Sequence, residues 1–394
     1  MAEKLDQVNL EPLDTSETDK WVGKPLGGGQ LKEPITLTDI RRWVQGMQNP
    51  NPLYYDEKYA AESAVGEILA PQSFTVNCTV GHGAIPAIQG YIPGTHMLFG
   101  GDEWWFYGPR IRAGDKIRSD RMLFDYRVTH TKFAGPTMFS RGDTTYINQR
   151  GEVIAKGRST SIRYRAENAR AMDSFAEQRR PPEWTIEALE KIEEQKFAYY
   201  ATFRNHMTRY FDDVKEGDAL PLRPIGPHTL QTLTSEWRAY IFTVWGAEEP
   251  DDLPTSALEA GWLPEMSRDP ERAKIDPTYA DGLYYGPSRG HVHEKYAQLI
   301  GVPRGYGYGA TMGAWILDYL ANWAGELGFV THCNARYIGP AFVGDATFLT
   351  GRVAKRELAS RAKHGVVTVE FEMKNQNGLL MAKGPAEITL ASKK

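Results

Sequence analysis

The sequence predicts a duplicated α+β fold, in which each copy combines a helix with a meander of long antiparallel strands. Three repeated segments carry this. Asn148-Gln-Arg-Gly151-Glu-Val-Ile-Ala155-Lys156-Gly157 recurs as Asn375-Gln-Asn-Gly378-Leu-Leu-Met-Ala382-Lys383-Gly384, both reading N-Q-x-G-x-x-x-A-K-G. Upstream, Gly108-Pro109 leads to Gly114-Asp115 as Gly339-Pro340 leads to Gly344-Asp345, and Glu57-Lys58-Tyr59-Ala60 returns as Glu294-Lys295-Tyr296-Ala297. One short match is chance; three in the same order are the signature of an internal repeat.

Each element of the repeat has a physical signal. Val367, Val369, Phe371 and Met373 alternate with Thr368, Glu370 and Glu372, giving a strand one apolar and one polar face. Asn375–Gly378 is a turn signal between two such strands, so a hairpin is expected there, with its counterpart at 136–165. A Gly-Asp turn precedes a further strand in each half, Lys116–Arg127 and Ala346–Lys355. Ahead of the second of these, Met312, Trp315, Ile316, Tyr319, Leu320 and Trp323 recur at three- and four-residue spacing, which predicts a helix over Ala310–Gly325. Between the copies, Pro181–Tyr200 follows a Pro-Pro break with helix-forming composition and reads as a linker helix. The expected division is 1–180, a linker at 181–204, and 205–394 with an inserted loop at about 247–285.

Composition bounds the function. The chain has 394 residues, 41% hydrophobic and 24% charged, with a net charge of −4. This is the balance of a globular protein of about two domains, with no basic footprint for nucleic acid or a membrane surface. No signal pattern or membrane-length apolar run is evident, so a cytoplasmic location is expected. Cys78 and Cys333 are too few for a disulfide framework or a zinc site. There is no phosphate-binding loop, no dinucleotide fingerprint and no His/Cys cluster at metal spacing, so no metal and no separate cofactor are expected.

At this point the residues resemble a known family. Phe211-Asp-Asp-Val214-Lys-Glu-Gly217-Asp218, the His-containing loop at 288–293, the Gly-rich turn into the long helix, and the G-P…G-D…N-x-x-G ending are similar to MaoC-like (R)-specific enoyl-CoA hydratases. The first half, through Asn49-Pro-Asn51-Pro52-Leu-Tyr54-Tyr-Asp56 and Ala70-Pro71, resembles the FAS1-like dehydratase domain often fused ahead of a MaoC domain. The resemblance implies two fused hotdog domains, each a long antiparallel sheet wrapped around a central helix. It also implies an acyl-coenzyme A substrate, coenzyme A being part of that substrate.

Family members keep a D-x-N-P-x-H-x-D pattern in which the first Asp and the His activate water. Aligning the E-K-Y-A blocks puts that His on His291 in the second half and on Tyr54 in the first; the Asp falls on Asn49 in the first half and Gly286 in the second. The first half then reads as a degenerate copy that walls the acyl pocket. His291 is the expected base, since histidine titrates near neutrality. Asp281, in the acidic insert, is the expected substitute for the missing Asp. Gly309, where the family opens its central helix, is the expected oxyanion donor, because free N–H groups and the helix dipole favour developing negative charge. Ser288, Arg289, His293 and Tyr308 are expected around the substrate, with the Arg289 fork suited to a phosphate or carboxylate. The Trp104-Trp105-Phe106-Tyr107 run is read mainly as core and, more weakly, as an aromatic wall for the acyl group.

The leading reading is reversible hydration of a 2-enoyl-CoA. The alternatives are a hotdog thioesterase using Asp318 or Glu326, and a non-catalytic acyl-CoA-binding subunit of a hetero-oligomeric hydratase. A homodimer is expected.

Overall fold

The strands form one continuous antiparallel sheet of two pseudo-equivalent halves. It is seen in a computed structural model that describes residues 8–79, 83–244, 247–250, 288–358 and 363–393. The first half comprises β1 (Pro25–Leu31), β2 (Thr95–Phe106), β3 (Ile117–Thr131), β4 (Gly135–Asn148) and β5 (Val153–Arg165). The second comprises β6 (Arg223–Ile225), β8 (Phe329–Tyr337), β9 (Thr347–Leu358), β10 (His364–Asn375) and β11 (Leu380–Ala391). A short β7 (Glu248–Pro250) crosses over to pair with β1. The order is β6-β9-β10-β11-β8-β2-β5-β4-β3-β1-β7, so the halves meet where β2 pairs antiparallel with β8.

The repeated letters explain the repeated geometry. The Asn148 side-chain oxygen accepts from the Arg150 and Glu152 N–H groups, and that of Asn375 accepts from Asn377 and Leu379. Gly151 and Gly378 take φ of +79° and +76°, values that carry a steric cost for any residue with a Cβ. The neighbouring Gln149 and Gln376 each donate to the Asp of the preceding Gly-Asp turn, Asp115 and Asp345, at 2.9 and 3.2 Å. Each also accepts the next backbone N–H, from Lys116 and Ala346. N-Q-x-G and G-D are thus two parts of one lock, built once per half.

The hairpins fall where alternation placed them, with Val367, Val369, Phe371 and Met373 all buried. The central helix runs Gly309–Ala324; it is buried all round, consistent with apolar residues on every face, and Gly325 ends it at φ +75°. The linker helix runs Ile186–Ala201, and both E-K-Y-A blocks open short helices, Glu57–Glu62 and Glu294–Leu299. In the first half the place of a long central helix is taken by 3-10 turns, Gln72–Cys78 and Ile85–Ile88. Pro71, Pro86 and the Thr75-Val76 pair work against a regular α-helix there. The Gln72–Cys78 turn packs directly on the central helix, so both halves share one helical centre.

Candidate active site

His291 reaches its position through local backbone constraints. It lies in a single helical turn, Arg289–Val292, whose end leads into the Glu294–Leu299 helix. Its Nδ1 is 2.6 Å from the Tyr306 carbonyl oxygen, an acceptor only, so Nδ1 carries the proton and Nε2 keeps a lone pair. The Tyr306 N–H donates back to the His291 carbonyl at 3.1 Å. The ring lies between aromatic neighbours, 4.3 Å from Tyr306 and 4.0 Å from Tyr308 between centroids. Burial lowers its pKa to about 4, with the Tyr306 hydrogen bond opposing and His96 adding to the shift. The imidazole is therefore neutral over the ordinary pH range.

His291, Tyr308 and Gly309 share the wall of one cavity of about 370 Å³. Gly309 and Ala310 line it at the start of the central helix, which opens at Tyr308 without a side-chain cap. The first N–H groups of an α-helix have no partner within the helix, so this end can stabilise negative charge. A side chain at Gly309 has no room: a Cβ there would lie 2.7–3.0 Å from atoms of Phe99. The rest of the lining is largely apolar and comes from both halves. The first contributes Leu98, Phe99, Phe133, Phe139 and Ile162, and the second Met312 and Tyr337. Beneath Tyr337 lies the carboxyl of Asp102, which accepts its hydroxyl at 2.8 Å.

Other expectations meet different surroundings. Ser288 donates its N–H to the Tyr308 hydroxyl at 3.2 Å, and Arg289 is buried in the turn beside it. His293 occupies the N-cap position of the next helix without a side-chain cap, and its ring packs edge-on against Tyr296. None of these three lines the cavity. Asp281 and Gly286 lie outside the described residues. The aromatic wall is made by phenylalanines of β2, β4 and the β3–β4 turn rather than by Trp104 and Phe106, which stack with each other in the core. Across the bulge at Gly100 the register keeps Trp104 and Phe106 on the same sheet face as Phe99 but further along β2, so they meet the core and not the cavity. Asp318 bonds Ser73 at 2.5 Å, and Glu326 pairs with His206 at 2.7 Å; neither lines the cavity. Asp102 and Tyr337 were not singled out by sequence reasoning. The available signal was an acid at position 102 among the apolar and aromatic residues of β2.

The pseudo-equivalent loop of the first half has a different fate. Asn49 and Tyr54, at the family's Asp and His positions, are both buried. Asn322 of the central helix donates to Asn49 at 3.0 Å and accepts from Asn51 at 3.0 Å, and it also reaches the Tyr199 hydroxyl of the linker helix at 3.3 Å. Arg223 ties the same loop to the helix by donating to the carbonyls of Trp315, Met47 and Gln48. This loop is fastened to the core.

These features define a double hotdog protein with an apolar cavity at the opening of its central helix, and comparison with known structures agrees. A MaoC-like dehydratase superposes with a TM-score of 0.58 at 18% identity, covering 95% of this chain and 99% of that one. A MaoC-like dehydratase from Phytophthora capsici gives 0.50 at 11% identity, covering 96% and 99%. A conserved hypothetical protein from Mycobacterium tuberculosis, described as having a double hotdog fold, gives 0.51 at 12% identity, covering 95% and 97%. Within that fold, residues 20–157 match the family model described as FAS1-like, dehydratase domain region. In sequence the chain is 27% identical over 175 residues to a Thermomonospora curvata protein named "Probable enoyl-CoA hydratase alpha subunit", a match that spans 41% of this chain and 55% of that relative. Among the described residues no helix is long and apolar enough to cross a membrane, and no group of three or more His, Cys, Asp or Glu could hold a metal ion.

Proposed function

We propose that the chain hydrates a 2-enoyl-CoA thioester reversibly, with the acyl group in the 370 Å³ cavity, and that the first half is there to complete that cavity and the fold. The observation that carries the reading is the convergence of a neutral histidine and a helix N-terminus on one apolar cavity. Hydration needs a base for the attacking water and donors for the thioester oxygen as charge moves onto it. His291 Nε2 is the base, its tautomer fixed by the Tyr306 carbonyl. The Gly309 N–H is the oxyanion donor. Tyr308, packed at a tilt against the imidazole, holds the ring in place and shields it from water. Ser288 and Arg289 belong to the approach for the coenzyme A portion, and the reaction needs no other cofactor. The relative's description as an alpha subunit favours a hetero-oligomer as a second assembly besides a homodimer.

The test is the ultraviolet absorbance of crotonyl-CoA and of longer and aryl 2-enoyl-CoAs incubated with the protein. Loss of the enoyl chromophore without thiol release supports hydration. Thiol release instead would support the thioesterase reading, and no change across the panel would contradict both. The pH dependence has a defined sign. His291 works as the neutral base, so kcat/KM should be level on the acid side until the pH approaches about 4 and fall tenfold per unit below it. Folding stability is linked to the same group. Because its folded pKa lies below its ordinary 6.5, its contribution is complete above that value and is lost as the pH falls towards 4.

A further inference from the structure

The seam between the halves carries a polar pair that the reaction as described does not use. Asp102 belongs to β2 and Tyr337 to β8, on the two strands that join the half-sheets. The Tyr337 hydroxyl donates to the Asp102 carboxylate at 2.8 Å. Both polar atoms press on one point of the central helix: a Cβ built on Gly313 would lie 2.5 Å from Asp102 Oδ2 and 2.5 Å from the Tyr337 hydroxyl. Gly313 is one turn beyond Gly309, on the same helix face. Tyr337 lines the cavity, its ring 5.9 Å from that of Phe99, which packs over Gly309. A phenol backed by a carboxyl therefore stands about one helical turn inward from the oxyanion donor, where the acyl chain would run.

Packing alone does not account for this pair. Asp102 is buried and forms no ion pair with a described residue, and burying a lone carboxylate is costly unless it stays protonated. The titratable groups facing it are Tyr337 and Cys333 from β8 and Tyr240 beyond the Leu230–Ala239 helix. Burial holds all three in the neutral form far into the alkaline range. Burial likewise raises the Asp102 carboxyl to about 7, against the lowering effect of the Tyr337 hydrogen bond.

We propose that Tyr337 is the proton donor to Cα of the enoyl thioester and that Asp102, supplied by the otherwise degenerate half, is the positioning residue that recharges it. The proposal rests on the hydratase reading above. Water oxygen bonds to Cβ as one of its protons passes to His291 Nε2, and the π pair of the double bond shifts towards the thioester. With Asp102 protonated, its carboxyl O–H donates to the phenolic oxygen and the Tyr337 O–H turns to Cα; that O–H bond breaks as the Cα–H bond forms, and the carboxyl proton moves to the phenolic oxygen. Protonated His291 and ionised Asp102 remain, and exchange with solvent resets both, so the net reaction adds one water. Each half then contributes to one composite acid–base set.

The experiment is steady-state hydration by the full chain, wild type, Y337F and D102N, from pH 5 to 9 with the best 2-enoyl-CoA of the panel and circular dichroism as the folding check. Y337F should lose about 100-fold in kcat with little change in KM. Wild-type kcat/KM should fall tenfold per unit above about pH 7, and D102N should work at a lower ceiling without that alkaline limb. A structural role would leave the pH profile in place. Wild-type kcat in Y337F, or an intact alkaline limb in D102N, overturns the proposal while leaving the hydratase reading standing. A wild-type protein inactive on every substrate removes both.

Discussion

The loops at 49–56 and 288–293 occupy equivalent places in the repeat, each just ahead of or within its E-K-Y-A helix, yet they have opposite surroundings. The first is hydrogen-bonded through Asn49 and Asn51 to Asn322 of the central helix, and Arg223 holds the Met47 and Gln48 carbonyls just ahead of it. The second presents an imidazole with a free ring nitrogen to an apolar cavity. The difference lies in the partners. The second loop faces a helix N-terminus and strands of the first half. The first loop faces the C-terminal portion of that same helix, where Asn322 and Asp318 present polar side chains to it. One helix serves both halves, and it has only one N-terminus. A duplicated fold whose halves share one central helix among the described residues therefore has one such helix N-terminus for oxyanion chemistry, and the other loop is free to become structural.

That contrast can be broken at several points. The largest effect is expected at Gly309. Gly309→Ala puts a methyl group into Phe99, and the helix start must shift to accommodate it. Misplacement by about 1 Å costs on the order of 100-fold in rate, so hydration should drop by about that factor, read by steady-state kinetics. Next is Asn322→Leu, which strips Asn49 and Asn51 of their partner. Leaving buried polar groups unsatisfied costs about 1–3 kcal/mol each, so urea unfolding should show a clear loss of stability with kcat/KM nearly unchanged. The smallest effects belong to the shared turn lock. Gly151→Ala and Gly378→Ala should each cost about 1–2 kcal/mol from the left-handed backbone alone. Equal losses by chemical denaturation would show that the lock has the same role in both halves.

What the sequence made legible was what local chemistry decides. N-Q-x-G and G-D could be read as turns because their hydrogen bonds close within a few residues or between adjacent hairpins. The central helix could be read from Met312, Trp315, Ile316, Tyr319 and Trp323, and the register of β10 from strict alternation. His291 and Gly309 could be picked out only because a resemblance supplied the pattern. The cavity wall was not legible. Phe99, Phe133 and Phe139 converge from separate strands, and no spacing along the chain records that they meet. Asp102 and Tyr337 are 235 residues apart and touch only because β2 pairs with β8. Trp104 and Phe106 lie in the core, as their main reading had it; the wall is formed by Phe99 further along the same face of β2 with phenylalanines of other elements, a placement the strand's own letters do not record.

The most direct test of the account is to disable the two equivalent positions side by side, measuring 2-enoyl-CoA hydration by His291→Ala and by Tyr54→Phe under the same conditions. The account predicts that His291→Ala loses about 100- to 10,000-fold in kcat/KM while Tyr54→Phe stays within about twofold of wild type, the buried phenol having no part in the chemistry. Activity that survives His291→Ala, or that disappears with Tyr54→Phe in a folded protein, would contradict the assignment of a single site to the second half.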